Sequence, residues 1–600
     1  FSLCSARQED NHPNHMFSPA ELHVMRHFES MDYLPQSSKV YRDWVFANYM
    51  PGGDNHWDKW VLMGLVGYFT GVIGFLLKAA TEVITEAKYE FAQEALDEGR
   101  LGEVFAWVSG ISSLMVLVSA SLVVFIAPEA AGSGVPAVIG YLNGVYIHHL
   151  YDVRVFLVKF FSTMLAVASG LPVGPEGPMV YMGATIGKHL SQGSPNCYSK
   201  CNRCFRRFRT MQGRRDFISA GAAAGIASAF GAPVGGMLFA MEEVASFWNM
   251  TLAWQIMFTC MVATFTTDVL VTSFGGFKSS PGTTLGAINE EAGILFGVSS
   301  SLSVNVLIFL PTVVLGAVGG ATGAAFTFIS VKVARARKQY IEPYRWRRVL
   351  EPLVIMFLMS TVAVFLPGNF NCQPKDCSTG AAKSSPVCLA TPRHPLHAEQ
   401  ELHRYACPRA TSEEEGGSGS GAGHAARRFL GGTTGNTTTH HNGTSSVVFE
   451  TYNPAASLLF VTGESAVEHL FSRKTHYEFD YSALFSLFLC YFPLAVWCAG
   501  SAVSSGLVVP ILFIGACLGR IAGVAITDMT GDLHADENWN WIDPGGFALI
   551  GAAAFFGGVS RLTISLTVIM MEITNDIRFL LPIMTAVLVS KLTADKLTHS

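Results

Sequence analysis

Long apolar runs separated by short polar ones fill most of the chain. Runs of about 20 residues, enough for a helix to cross the hydrocarbon core of a bilayer, occur at 60–80 (WVLMGLVGYFTGVIGFLLKAA), 104–127, 155–173, 253–275, 304–331, 349–366, 482–499 and 579–597. The pattern predicts an all-α polytopic membrane protein. Several apolar stretches are also broken from within by Gly and Pro: AGSGVPAVIG (131–140), GLPVGPEGPMVYMG (170–183), AFGAPVGG (229–236) and SSGLVVPILFIG (504–515). Non-helical backbone at membrane depth is tolerated only where protein buries it or a cavity hydrates it. A helix that restarts there turns its unpaired N–H groups and positive dipole end inward. That makes an anion site without Lys or Arg, whose tight grip would slow passage. GYFTG (67–71) lacks such a break and reads as helix-packing glycine.

The breaks belong to an internal repeat. GAAAGIASAFGAPVGGMLFAMEE (221–243) aligns without a gap on GAAAFFGGVSRLTISLTVIMMEI (551–573), setting Met241-Glu242 on Met571-Glu572. SGLPV (169–173) is similar to SGLVV (505–509) in the same order. Duplication of this kind in membrane proteins points to inverted repeats with a binding site at their interface.

Acids inside spans cost roughly 2.5–3.5 kcal/mol at the centre, so each is a functional candidate. Glu176 lies between two Gly-Pro pairs, with Pro175 suited to the first helical position and MVYMGATIGKHL continuing apolar. Its carboxylate is expected to occupy the anion site, accepting the N–H groups an anion would use, and to vacate it when protonated. Burial and the helix terminus act on its charge in opposite senses. Glu242 and Glu243 end another apolar run; one of them is a candidate proton relay and the other an interfacial acid.

Charge orients the chain. Residues 200–215 hold seven Lys/Arg and no acid, and residues 332–348 hold seven against one Glu. The positive-inside rule puts both loops in the cytoplasm, and their position beside apolar spans argues against a nucleic-acid surface. One crossing later, residues 368–455 fall on the lumenal or extracellular side. That segment carries sequons at Asn436 and Asn442 and Cys372, Cys377, Cys388 and Cys407, which suit two disulfides in any of three connectivities. SEEEGGSGSGAGHAA within it is a flexible low-complexity stretch. Cys197, Cys201 and Cys204 lack the fourth ligand and regular spacing of a zinc site and read as reduced thiols; His148 and His149 read as a solvated loop end. Residues 1–58 are polar and His-rich, with no cleavable signal ahead of the first span. Starting at Phe1 and stopping after KLTADKLTHS, the chain is expected to be a piece of a longer one.

Composition agrees with a membrane protein: mean hydropathy is +0.35, 14% of residues are charged, and 42 of 600 are Phe. No nucleotide loop, catalytic triad or metal constellation stands out, so neither an enzyme nor a metal site is expected.

GSGVP, GPEGP, GAAAGIASAFGAPVGGMLFAMEE with SFW, SSGLVVP and GAAAFFGGVSRLTISLTVIMMEITND, in that order, resemble the CLC chloride channels and proton-coupled chloride transporters. The resemblance runs from about residue 28 to the end, outside the 368–455 insertion. FESMDY, RRDFISAGAAAG and MEEVASFWN look most like the intracellular endolysosomal and vacuolar exchanger branch. The resemblance implies a CLC-type inverted repeat with broken and re-entrant helices, one pathway per subunit, and a homodimer. It implies a chloride/proton antiporter in which Ser133, Gly174, Gly177 and the backbone amides of Leu507 and Val508 bind chloride. Glu176 would gate the path and Glu243 would relay protons; a passive voltage-gated chloride channel of the same fold is the alternative. Chloride and protons are the transported species, with no cofactor. Partners are the bilayer, a second copy and an accessory membrane subunit, in an endosomal, lysosomal or vacuolar membrane rather than the plasma membrane.

The domains expected are a cytosolic segment (1–58), a first transmembrane repeat (59–275), the start of the second (276–367), the lumenal insertion (368–455) and the rest of the second repeat (456–600). Cytoplasmic CBS domains would follow residue 600, as would the family's inner-gate Tyr. The sequence departs from the family pattern at Pro175, where Lys or Arg is usual, which predicts weaker external anion binding. Val508 replaces the usual Phe, which predicts a less tightly closed pore. Ser504 replaces the usual Pro and Ala137 the usual acid.

Overall fold

The computed structural model describes residues 57–97, 100–192, 210–246, 248–279, 304–370, 451–473, 478–530 and 541–598, with a few isolated positions outside these stretches. The first half comprises α1 (Trp57–Asp97), α2 (Leu101–Ser121, continued as a π-helical turn over Leu122–Ile126), α3 (Val135–Leu142), α4 (Val153–Ser169), α5 (Glu176–Gln192), α6 (Met211–Phe230), α7 (Pro233–Phe239, continued as a π-helical turn over Ala240–Val244) and α8 (Met250–Ser279). The second comprises α9 (Phe309–Tyr340), α10 (Arg345–Phe365), α11 (Ala456–Leu459), α12 (Gly463–Leu470), α13 (Tyr481–Cys498), α14 (Val508–Thr530), α15 (Pro544–Ser560), α16 (Ile564–Thr574) and α17 (Leu580–Leu597). Within 368–455, β1 (Gln373–Pro374) pairs antiparallel with β4 (Thr451–Tyr452), and β2 (Ala410–Ser412) with β3 (Val447–Phe449).

Eight helices among the described residues are long and apolar enough to cross a membrane. Seven fall on predicted runs. The 155–173 run instead forms α4, 17 residues long with Lys159 buried inside it. In its place α14 qualifies, which the Gly and Pro around residues 504–515 disguise as a break alone. The basic stretch 332–348 is mostly helix, because α9 runs on to Tyr340 and α10 starts at Arg345. Arg337 is therefore no loop charge. Its guanidinium is buried against Glu351 (2.9 Å) and donates to the Trp497 and Ala499 carbonyls, fixing the end of α13.

Close helix contacts rest on glycine. A Cβ on Gly67 or Gly71 of α1 would lie 2.4 or 2.5 Å from a carbonyl oxygen of α8, so GYFTG is a packing motif as expected. The α5–α6 pair meets at Gly183 and Gly187, against Gly221 and Phe217; the α14–α15 pair meets at Gly515 and Gly519, against Gly551 and Phe547. The second pair repeats the first. The repeat also explains two carboxylates: Glu242, at the end of α7, accepts from the N–H and hydroxyl groups of Thr563 and Ser565 at the start of α16. Glu572, its repeat counterpart, accepts from the N–H groups of Val234 and Gly235 at the start of α7. Each helix caps the other.

Candidate functional site

Three broken segments converge. The turn before α3 carries Ser133, whose Oγ accepts from the Val135 N–H, and Gly134, whose φ of 78° belongs to the left-handed region that glycine tolerates. Lys159 of α4 is fully buried beneath this turn and donates to the carbonyls of Ala130 (3.0 Å) and Gly132 (2.9 Å), holding Ser133 in place. The segment before α14 lies against it: Gly132 N–H donates to the Val503 carbonyl, and the Ser504 N–H donates to Ser162 Oγ of α4. The Ser504 hydroxyl pairs with that of Thr163 at 2.9 Å. A proline at 504 would lack that N–H, so this departure from the family pattern is matched by hydroxyls on α4.

The segment before α5 joins through a two-residue antiparallel bridge: Gly174 and Gly506 exchange both backbone hydrogen bonds, at 2.9 and 2.7 Å. A Cβ on Gly177 would meet Ser133 Cβ at 2.6 Å and Gly506 Cα at 3.2 Å, so Ser133, Gly177 and Gly506 touch. Helices α5 and α14 start at equivalent points, Glu176 and Val508. The weaker sequence match, SGLPV on SGLVV, is therefore four positions out of register. Pro175 stands just before α5 rather than at its first position, and Glu176 is the first helical residue.

Glu176 is 1% exposed, and neither carboxylate oxygen accepts a hydrogen bond from another of the described residues. The carboxylate folds back over Gly174, with Oε2 2.3 Å from where a Cβ there would stand, and sits 3.3 Å from the same point on Gly506. Only glycine at 174 admits this rotamer. The first-turn N–H groups of α5 and α14 have no carbonyl partner within their own helices. Ser133, Leu507 and Val508 are half-buried.

The second acidic site is separate. Glu242 is committed to capping α16, whereas Glu243 is exposed and takes no hydrogen bond among the described residues. Of the pair, Glu243 alone has a free carboxylate. Lys159, Ser162, Thr163 and Arg337 hold the segments and were not singled out from sequence; a cation within the 155–173 run was the available signal. Asn436, Asn442, Cys372, Cys377, Cys388, Cys407, Cys197, Cys201 and Cys204 lie outside the described residues.

These features define a multi-pass helical membrane protein of duplicated architecture, with broken helices meeting at an unpartnered buried acid. The family model described as voltage gated chloride channel matches residues 114–595, and the chain belongs to that family. It is 36% identical over 588 residues to chloride channel protein D of Dictyostelium discoideum, covering 95% of this chain and 57% of that protein. It is 33% identical over 548 residues to H(+)/Cl(-) exchange transporter 7 of Mus musculus, covering 90% of this chain and 58% of that protein. The chain thus spans somewhat over half the length of these relatives. In fold it resembles the crystal structure of a slow cyanobacterial Cl-/H+ antiporter, with a TM-score of 0.61 and 19% identity over 90% of this chain and 95% of that one.

Proposed function

We propose that the chain forms the transmembrane part of a chloride/proton antiporter of an endosomal, lysosomal or vacuolar membrane. The observation that carries the reading is Glu176, a buried carboxylate that accepts from no other residue among those described, at the start of α5, whose first-turn N–H groups have no partner within the helix. Chloride would accept from the Ser133 hydroxyl and from the N–H groups at Leu507 and Val508, with Gly174 and Gly177 leaving room for the backbone to approach. When deprotonated, Glu176 is drawn toward the same N–H groups and competes with chloride. When protonated, it rests over Gly174 and leaves the path open. Glu243 would exchange protons with the cytosol, since Glu242 is held by Thr563 and Ser565.

The reading includes a homodimer with one path per subunit, an accessory membrane subunit, CBS domains after residue 600, and a lumenal 368–455 segment with glycosylated Asn436 and Asn442 and two disulfides. The name of the mouse relative, an exchange transporter, supports antiport.

The full-length protein in liposomes tests it. A chloride gradient is expected to drive protons uphill. Glu243→Ala is expected to stop proton movement and spare chloride flux, and Glu176→Ala to leave chloride flux without protons. Chloride flux with no proton movement in the parent would instead establish the passive channel.

A further inference from the structure

On the outer flank of the segment that carries Glu176 lies a cavity of about 50 Å³ among α1, α4, α10, α12 and α13. Its lining includes Lys88, Tyr89, Ser169, Gly170, Ser360 and Gly463. Lys88 is 2% exposed and donates to the carbonyls of Ala168 (2.9 Å) and Ser169 (3.0 Å). The Tyr89 ring faces the ammonium at 4.3 Å, but no carboxylate pairs with it among the described residues, so two carbonyls and a ring face are all that meet its charge. Ser360 is 1% exposed, and its hydroxyl has no hydrogen-bond partner among the described residues. Buried charges are normally paired and buried hydroxyls normally bonded.

We infer that this cavity binds a halide ion, held by the Lys88 ammonium and the Ser360 hydroxyl. A halide supplies the missing negative charge and accepts from both free donors. About 50 Å³ open to the centre of a water-sized sphere exceeds the roughly 10–15 Å³ that one water needs on that measure, so a monatomic anion fits with water beside it. Water alone would satisfy the hydroxyl and leave the charge unpaired. The walls make the site consequential: Gly170, Leu171 and Val173 lead directly into Gly174 and Glu176, and Gly463 opens α12, which packs on Val509 beside the α14 N-terminus. An ion here braces the outer wall of the path without lying in it.

The inference is separate from the antiport reading, because it is judged by where an ion binds and not by flux. Crystals of the full-length protein grown in bromide decide it by anomalous diffraction. The expected result is a bromide peak in contact with Lys88 Nζ and Ser360 Oγ, absent in Lys88→Met and weakened in Ser360→Ala, and retained in Glu176→Gln. A cavity that is empty, or filled by density without anomalous signal, overturns the site. Should Lys88→Met fail to fold, the parent and Ser360→Ala maps still decide, and an unweakened peak in Ser360→Ala removes the hydroxyl from the site.

Discussion

Replacing Glu478 by Gln removes the carboxylate that faces a fully buried arginine. Glu478 lies between α12 and α13, outside the spans, with its side chain 12% exposed. Its Oε1 pairs with His469 Nε2 at 2.5 Å, and its Oε2 faces Arg520 Nη2 at 3.4 Å and accepts from Ser472 Oγ at 3.2 Å. Burial pushes the carboxyl up, but His469 and Arg520 beside it, with hydrogen bonds from His469 and Thr475, outweigh burial and hold it at about 2 against an ordinary 4.5. A gap of roughly 2.5 pH units is on the order of 3 kcal/mol. Because the folded value is depressed, this stabilisation is complete above about pH 4.5 and is lost as pH falls toward 2. At neutral pH, Glu478→Gln leaves Arg520 buried without its carboxylate, and breaking such a pair costs about 3–5 kcal/mol. Melting of the detergent-solubilised protein, followed by tryptophan fluorescence at a series of pH values, reads both effects. The gap between parent and variant should be present at about pH 5 and close progressively below it. A variant as stable as the parent at pH 7, or a gap unchanged at pH 2.5, would refute the reasoning.

Other substitutions separate packing from function. Glu242→Ala strips four hydrogen bonds from the start of α16 and is expected to cost about 1–3 kcal/mol in the same melts, whereas Glu243→Gln should stay within about 0.5 kcal/mol of the parent. Gly187→Ala would set a Cβ 2.1 Å from the Phe217 carbonyl oxygen and should destabilise by about 1–3 kcal/mol. Gly110→Ala, whose Cβ meets nothing within 4 Å, should be neutral or stabilising by up to about 1 kcal/mol. Ser504→Pro, which restores the family's usual residue, removes the donor to Ser162 and the hydroxyl partner of Thr163. It is expected to lower the melting temperature unless Ser162 and Thr163 are changed with it.

Much of this was legible because the signals are local. Gly and Pro inside apolar runs mark breaks wherever the rest of the chain lies, and a gapless repeat fixes which helices correspond. Hydropathy failed where tertiary structure decides. Lys159 is tolerated in α4 because carbonyls from another segment accept its hydrogen bonds, and no window over 155–173 contains them. Arg337 sits in a basic stretch that reads from sequence as a loop, but its partners lie on α10 and α13. The Glu176 rotamer depends on the missing Cβ atoms of Gly174 and Gly506; the second lies 330 positions away, beyond any motif.

The repeat also sorts the acids by what they do. In a duplicated fold with pseudo-two-fold symmetry, a contact between one half and the other should recur with the partners exchanged. Glu242 with Ser565 and Glu572 with Gly235 obey that rule, and so does the Gly174–Gly506 bridge, in which each glycine both gives and takes a hydrogen bond. Residues that keep the symmetry hold the halves together. Glu176 breaks it, since Val508 starts the equivalent helix, and Glu243 breaks it, since the aligned position is the buried Ile573. A symmetric pair of half-helices has no reason to pass ions preferentially in exchange for protons. On the antiport proposed above, an acid in one half only would give the path two unlike ends, one where Glu176 competes for the anion and one where Glu243 exchanges protons. Placing an acid at Val508 would restore symmetry at the expense of that difference, so Val508→Glu should impair chloride flux even with Glu176 intact.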